Sequence, residues 1–224
     1  MRKLLLTSAI TAIAFVAGPM NQADAAAITT LFNTGVDAGG ATFADGTIGD
    51  LHYTLTSVPS GVSTIRIRTS AGFAPIPPWL GDNALSTWIG PNNTDELISP
   101  PGQYTYRTTF SLTELNPTTA SIVGQWSIDN QQAGIFLNGV LVAGTSNSAE
   151  DCNFTLWCGF TVTSGFQYGT NTLDFRVDNL GTLDNPTGLR VEMTGTAEVP
   201  EPASMLLLGS AMAGLGILRR RKTT

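Results

Sequence analysis

Residues 103–112 read QYTYRTTFSL. Tyr104, Tyr106, Thr108 and Phe110 share one side of a period-two pattern, and Gln103, Thr105, Arg107 and Thr109 share the other. That period sets one face of a strand against a core and the other toward water, whereas a helix needs apolar residues three and four apart. The pattern recurs at 172–178, where Leu173, Phe175 and Val177 oppose Asp174 and Arg176. Further runs rich in Thr, Val, Ile and aromatics lie at 51–58, 63–68, 120–129, 134–137, 140–143, 159–163 and 189–196, divided by Gly, Asn, Asp and Pro. Between GIFL and VLVA, Asn138-Gly139 is the favoured pair for a type I′ hairpin, since both turn positions need positive φ. Many short strands without sustained helical periodicity predict an all-β, antiparallel two-sheet sandwich. The prolines at 75, 77, 78, 91, 100 and 101 make 74–102 mostly irregular, an excursion over one end of the sandwich.

The chain has 224 residues, 42% hydrophobic and only 12% charged. Within 26–197 the basic residues are Arg66, Arg68, Arg107, Arg176 and Arg190, against 14 acids, a net charge of −9 with no lysine. Phosphate affinity comes from Lys and Arg, so nucleic-acid binding is excluded. Ample apolar content at low charge excludes a disordered chain, and the length suits one domain at 26–197.

Both ends read as addresses. Arg2 and Lys3 precede LLLTSAITAIAFVAG and the small-x-small site Ala23-Asp24-Ala25, which predicts a cleaved signal helix over 1–25. Cleavage after Ala27 is the other option. At the far end, Pro200-Glu201-Pro202 precedes an uncharged run at 203–218 and then Arg219, Arg220, Arg221 and Lys222. As a helix that run spans about 24 Å, short of a bilayer core of about 30 Å. The arginines keep the tail cytoplasmic by the positive-inside rule.

This three-part tail, 198–224, resembles the PEP-CTERM sorting signal, in which a Pro-Glu-Pro motif, a short hydrophobic helix and an Arg cluster follow in that order. The resemblance implies recognition and removal by an exosortase, a membrane cysteine transpeptidase. It also implies transient contact with the inner membrane, and export to the cell surface or extracellular matrix of a Gram-negative, polysaccharide-producing bacterium. The body's second half resembles the galactose-binding-domain-like jelly roll through YTYRTTF, WSIDN at 126–130, IFLNG at 135–139 and GTNTLDFRVDN at 169–179. That resemblance implies a non-catalytic sugar-binding architecture, in which a structural Ca²⁺ often occurs. Asp129, Glu150, Asp151, Asp178 and Asp184 could donate oxygen to such an ion, although none has EF-hand spacing. No other cofactor is expected.

Cys152 and Cys158 are the only cysteines, and an even count in an exported body predicts a disulfide closing CNFTLWC. Among the four tryptophans, Trp126 alternates with Ile122 and Ile128 as a core residue, and Trp88 packs inward beside Ile89. Trp79 follows Pro77-Pro78, and Trp157 lies inside the cysteine loop. These two are the candidates for stacking on a sugar ring, with Asn130 and Gln131 supplying polar contacts. His52 is the sole histidine and sits in a strand pattern. Nucleophile-elbow, zinc-protease and phosphate-loop motifs are missing, so no enzyme is expected. The expectation is a non-enzymatic surface or matrix protein associated with extracellular polysaccharide. The alternatives are a purely structural or adhesive matrix protein without a sugar site and, third, a glycan-active enzyme.

Overall fold

The computed structural model describes residues 24–59, 61–72, 75–146 and 153–200. The expected signal helix and the C-terminal hydrophobic helix lie outside these residues. Among the described residues there are thirteen strands: β1 (Ala25–Ala27), β2 (Tyr53–Ser57), β3 (Ile65–Arg68), β4 (Trp88–Pro91), β5 (Ile98–Ser99), β6 (Gly102–Ser111), β7 (Ser121–Asp129), β8 (Gln131–Leu137), β9 (Val140–Leu141), β10 (Cys158–Val162), β11 (Thr170–Asn179), β12 (Asn185–Pro186) and β13 (Gly188–Glu198). They form two main antiparallel sheets. The six-stranded sheet runs β10-β7-β13-β4-β3, with β1 also on β13; the five-stranded sheet runs β2-β6-β11-β8-β9. A short β12-β5 pair stands apart.

The alternating residues meet between the two sheets as predicted. Tyr104, Tyr106 and Phe110 of β6 and Leu173, Phe175 and Val177 of β11 pack against Ile122, Trp126 and Ile128 of β7 and Leu189 and Val191 of β13. The Phe175 ring bridges the layers, 5.8 Å from Trp126 and 5.9 Å from Phe160. Asn138 and Gly139 both have positive φ and turn β8 into β9, as the type I′ reading requires. The Asn138 side chain also donates to Asn171 Oδ1 at 2.8 Å and accepts the Thr172 N–H at 3.0 Å. The LNG and GTN segments are thereby fastened to each other.

The excursion is corrected in two ways. Its middle forms β4, an interior strand between β3 and β13. Residues 75–86 lie on the outer face of the six-stranded sheet, not over an end of the sandwich. Along β13, Leu189 and Val191 point into the main core, so Gly188, Arg190 and Glu192 point outward. Arg190 bonds the carbonyls of Leu80 and Gly81, and Trp79 sits on Gly188. A second apolar cluster results, of Ile76, Trp79, Trp88 and Leu97 with Leu80 and Phe154 packed against it. Trp126 belongs to the main core, whereas Trp88 is buried in this outer cluster.

Candidate functional site

The strands β7 and β8 belong to different sheets, and Asp129-Asn130-Gln131 carries the chain from one to the other. Several residues singled out by the sequence converge near this crossover. Trp79 Nε1–H donates to Asp129 Oδ2 at 2.9 Å, and Asn130 Nδ2 donates to Asp129 Oδ1. Thr187 Oγ1 donates to the Asp129 carbonyl at 2.6 Å, and the Leu180 N–H donates to Asn130 Oδ1 at 2.8 Å. Trp79 packs against Trp88 in a tilted pair, with ring centroids 4.4 Å apart and planes at 46°. A Cβ at position 188 would stand 2.8 Å from the Trp79 ring, so glycine there makes room for the indole.

Trp79 is therefore only 3% exposed, with its polar atom already used. The expectation that it stacks on a ligand is corrected: a residue that looked like an exposed loop aromatic is the plug of the outer cluster. Trp157 is half-buried and its ring lies over Arg190, 5.2 Å from the guanidinium carbon. Asn130 is half-buried and committed to Asp129 and Leu180. Gln131 opens β8 opposite Asp178, on the other sheet.

Arg190 is the second buried anchor of this face, and sequence reasoning missed it. Its Nε donates to Ser86 Oγ at 2.8 Å, Nη1 to Gly81 O at 2.6 Å and Nη2 to Ser86 O at 3.0 Å. Burial lowers its pKa, opposed by the charges of Glu192 and Asp82. Burial raises Glu192, but hydrogen bonds from Asn83, Ser86 and Gln125 and the Arg190 charge hold it below the usual carboxylate value. Together these residues lock residues 80–86 onto the sheet.

Asp129 is 4% exposed, and desolvation pushes its pKa up to about 7 against the hydrogen bonds from Trp79 and Asn130. A folded-state value above the unfolded 3.8 means that the native protein holds the proton more tightly. The stabilisation is full below pH 4 and is lost as pH rises through about 7. A shift of this size corresponds to about 4 kcal/mol. Urea midpoints taken from pH 4 to 8 should fall in the wild type and flatten in Asp129→Asn. Asp50, also raised by burial, leaves a smaller residual slope.

The outer face of the five-stranded sheet has a different character. Its rows pair Thr54 with Arg107, Arg107 with Asp174 and Asp174 with Phe136; a second row sets Thr105 beside Arg176, and a third Gln103, Asp178 and Gln131. Arg107 grips Asp174 bidentately at 2.6 and 2.7 Å, and the Asp174 bond raises the Arg107 pKa. The Arg176 guanidinium lies 3.6 Å over the Phe136 ring. Gln103 Nε2 donates to Asp178 Oδ1 at 3.0 Å. Thr54, Gln103 and Thr109 are exposed, and Arg107, Phe136, Thr172, Arg176 and Asp178 are half-buried. No sequence pattern separated this face from the other sheet's outer face, because both read as polar strand positions.

His52 precedes β2, where its ring stacks on Phe32 at 3.6 Å and Nε2 lies 3.2 Å from the Asp37 carbonyl. Among the described residues no group of three or more His, Cys, Asp or Glu could hold a metal ion. Of the acids considered for Ca²⁺, Asp129 and Asp178 are engaged as above, and Glu150 and Asp151 lie outside the described residues. Cys158 is disulfide-bonded. Its expected partner, Cys152, lies outside the described residues. No described helix is long and apolar enough to cross a membrane, and the run at 203–218 lies outside the residues searched.

No curated protein matches the chain. Residues 198–222 match the PEP-CTERM protein-sorting motif. The motif implies a protein exported across the membrane, sorted to the cell surface and processed by an exosortase.

Proposed function

We propose that the chain is a non-enzymatic component of the extracellular matrix of a Gram-negative bacterium, and that its body, 26–197, associates with polysaccharide through the outer face of the five-stranded sheet. The contrast between the two outer faces carries this reading. One is covered around β4 and the start of β13 by the chain's own residues 75–86, with Trp79 and Arg190 consumed internally. Beyond that cover its strands β7, β10 and β13 present Val123, Thr161 and Thr194 without an aromatic or a guanidinium group. The other presents hydroxyl, amide and guanidinium groups over a stacked Phe136–Arg176 pair. A sugar polymer offers hydroxyls and weakly apolar ring faces, which such groups match without ion pairs.

The strand order and the WSIDN, LNG and GTN segments are compatible with a galactose-binding-like jelly roll, which hosts sugar sites of this kind; fold alone does not assign the function. In this reading the Cys152–Cys158 link braces the loop that carries Trp157. The tail, 198–224, crosses the inner membrane transiently until an exosortase removes it. The burial of Trp79, Trp88 and Trp126 favours the second reading, a structural or adhesive matrix protein without a specific sugar site. Co-sedimentation with the cell's own neutral polysaccharide separates the two. The wild type should be retained at low and high salt alike. Arg176→Ala with Gln103→Ala should weaken retention about tenfold, on the order of two lost polar contacts, while the body stays folded with a stability loss of about 1–2 kcal/mol from the contacts to Phe136 and Asp178. No wild-type retention would leave the structural reading in its place.

A further inference from the structure

The antiparallel β1–β13 pair sets Ala25 opposite Glu198, Ala26 opposite Ala197 and Ala27 opposite Thr196. The start of β1 thus lies beside the end of β13, and the chain before 25 leaves the body next to the chain after 198. One departing segment is the expected signal peptide, and the other begins the matched sorting motif. Both processing sites therefore meet at one corner of the body.

The end of β13 is held firmly only as far as Glu198. Its carbonyl accepts the Asn116 N–H at 2.8 Å, and its own N–H donates to Thr119 Oγ1 at 2.9 Å. The next residue, Val199, is 46% exposed, and its N–H donates to the Asp24 carbonyl at 3.4 Å. Pro200 has no N–H with which to continue the ladder. Asp24 lies on the discarded side of a cut between Ala25 and Ala26, while Ala26 and Ala27 stay paired on the retained side. A cut after Ala27 would instead place the new ammonium on Ile28. That residue is 4% exposed, with its N–H on the Gly195 carbonyl, and a buried charge there is unfavourable. The fold favours Ala26 as the mature N-terminus.

We propose that the two processing steps are ordered through this corner, so that signal removal unties Val199 and opens the chain at Val199-Pro200 to the sorting enzyme. Water hydrolyses the Ala25–Ala26 amide, leaving a carboxylate on Ala25 and an ammonium on Ala26. Asp24 departs with the signal, and Val199 loses its backbone partner. A processing enzyme binds its substrate as an unpaired extended segment, because it must supply the backbone hydrogen bonds itself. The second cut then breaks one amide beyond Glu198; the acyl carbon passes to water or an acceptor amine, and the new amino group leaves with the tail. This inference rests on the sorting reading of the tail.

The test is pulse-chase of the full chain in its producing cells, with terminal peptides read by mass spectrometry. The wild type should begin at Ala26 and lose Arg219–Lys222. In the test variant a foreign cleavable signal replaces residues 1–20 and Ala23→Leu with Ala25→Leu blocks the native site, so the exported chain keeps Asp24 but not the apolar run at 4–18. Its tail removal should slow about fivefold, the size of one backbone hydrogen bond. Tail loss at the wild-type rate in that variant, beside normal processing of the wild type, would overturn the ordering alone. A wild type that retains Arg219–Lys222 would overturn the sorting reading and the ordering with it.

Discussion

Arg190→Met will lower the stability of the body by about 3–5 kcal/mol, because one partner of a buried charged network is removed and the others are left behind. The carbonyls of Leu80, Gly81 and Ser86 and the Ser86 hydroxyl would face an apolar side chain of similar length. Glu192, 3.9 Å from the guanidinium, would lose its nearest positive charge. The change falls on the outer face, so the main core between the sheets should persist at first. Limited proteolysis should cut within residues 75–86 at urea concentrations where the wild type is intact. Urea unfolding followed by tryptophan fluorescence gives the magnitude, and Trp88 and Trp79 should report the early loosening.

Trp79→Ala is expected to cost about 3–5 kcal/mol, the range for deleting a buried aromatic side chain. The indole fills the space over Gly188, packs at a tilt against Trp88 and lies 6.5 Å from Phe154. It also supplies the hydrogen bond to Asp129 Oδ2. Trp79→Phe keeps most of the packing and removes that bond, and should cost about 1–3 kcal/mol through the weakened solvation of a buried carboxylate. Its pH profile should shift in a diagnostic way: with one donor gone, the Asp129 pKa rises further, and the loss of stability with pH extends above pH 7. Polysaccharide retention by Trp79→Phe should match the wild type, since the ring faces the body's own residues.

The alternating strands could be read in the sequence because each has two chemically different faces. In 103–112 and 172–178, tyrosine, phenylalanine and valine alternate with threonine, arginine and aspartate, and β6 and β11 form there. The turn at Asn138-Gly139 was equally legible, because few other pairs tolerate positive φ twice. The strand β4 was not. Its sequence WIGP is buried on both faces and ends in proline, so neither alternation nor composition marks it. The strands of two or three residues, β1, β5, β9 and β12, are too short to carry a period, and of these only β9 is marked, by the Asn138-Gly139 turn before it.

The fate of the outer faces was hidden for a different reason. Arg190 between Leu189 and Val191 and Arg176 between Phe175 and Val177 present the same local pattern. One is buried under residues 80–86 and the other lies half-buried over Phe136, because a segment distant in sequence covers only one sheet. Trp79 misled for the same reason: a tryptophan after two prolines resembles a loop tip until Gly188 and Asp129 are seen beneath it. One signal was available at Gly188, since a glycine at the start of a strand can mark close approach by a large side chain.

The most direct test of the central claim is hydrogen–deuterium exchange of the processed protein, isolated from producing cells, with and without the cell's neutral polysaccharide. Peptides spanning β6, β8 and β11 should gain protection, and peptides covering 75–86 should not. Protection confined to 75–86 and the Trp157 loop, or none anywhere at saturating polysaccharide, would contradict it.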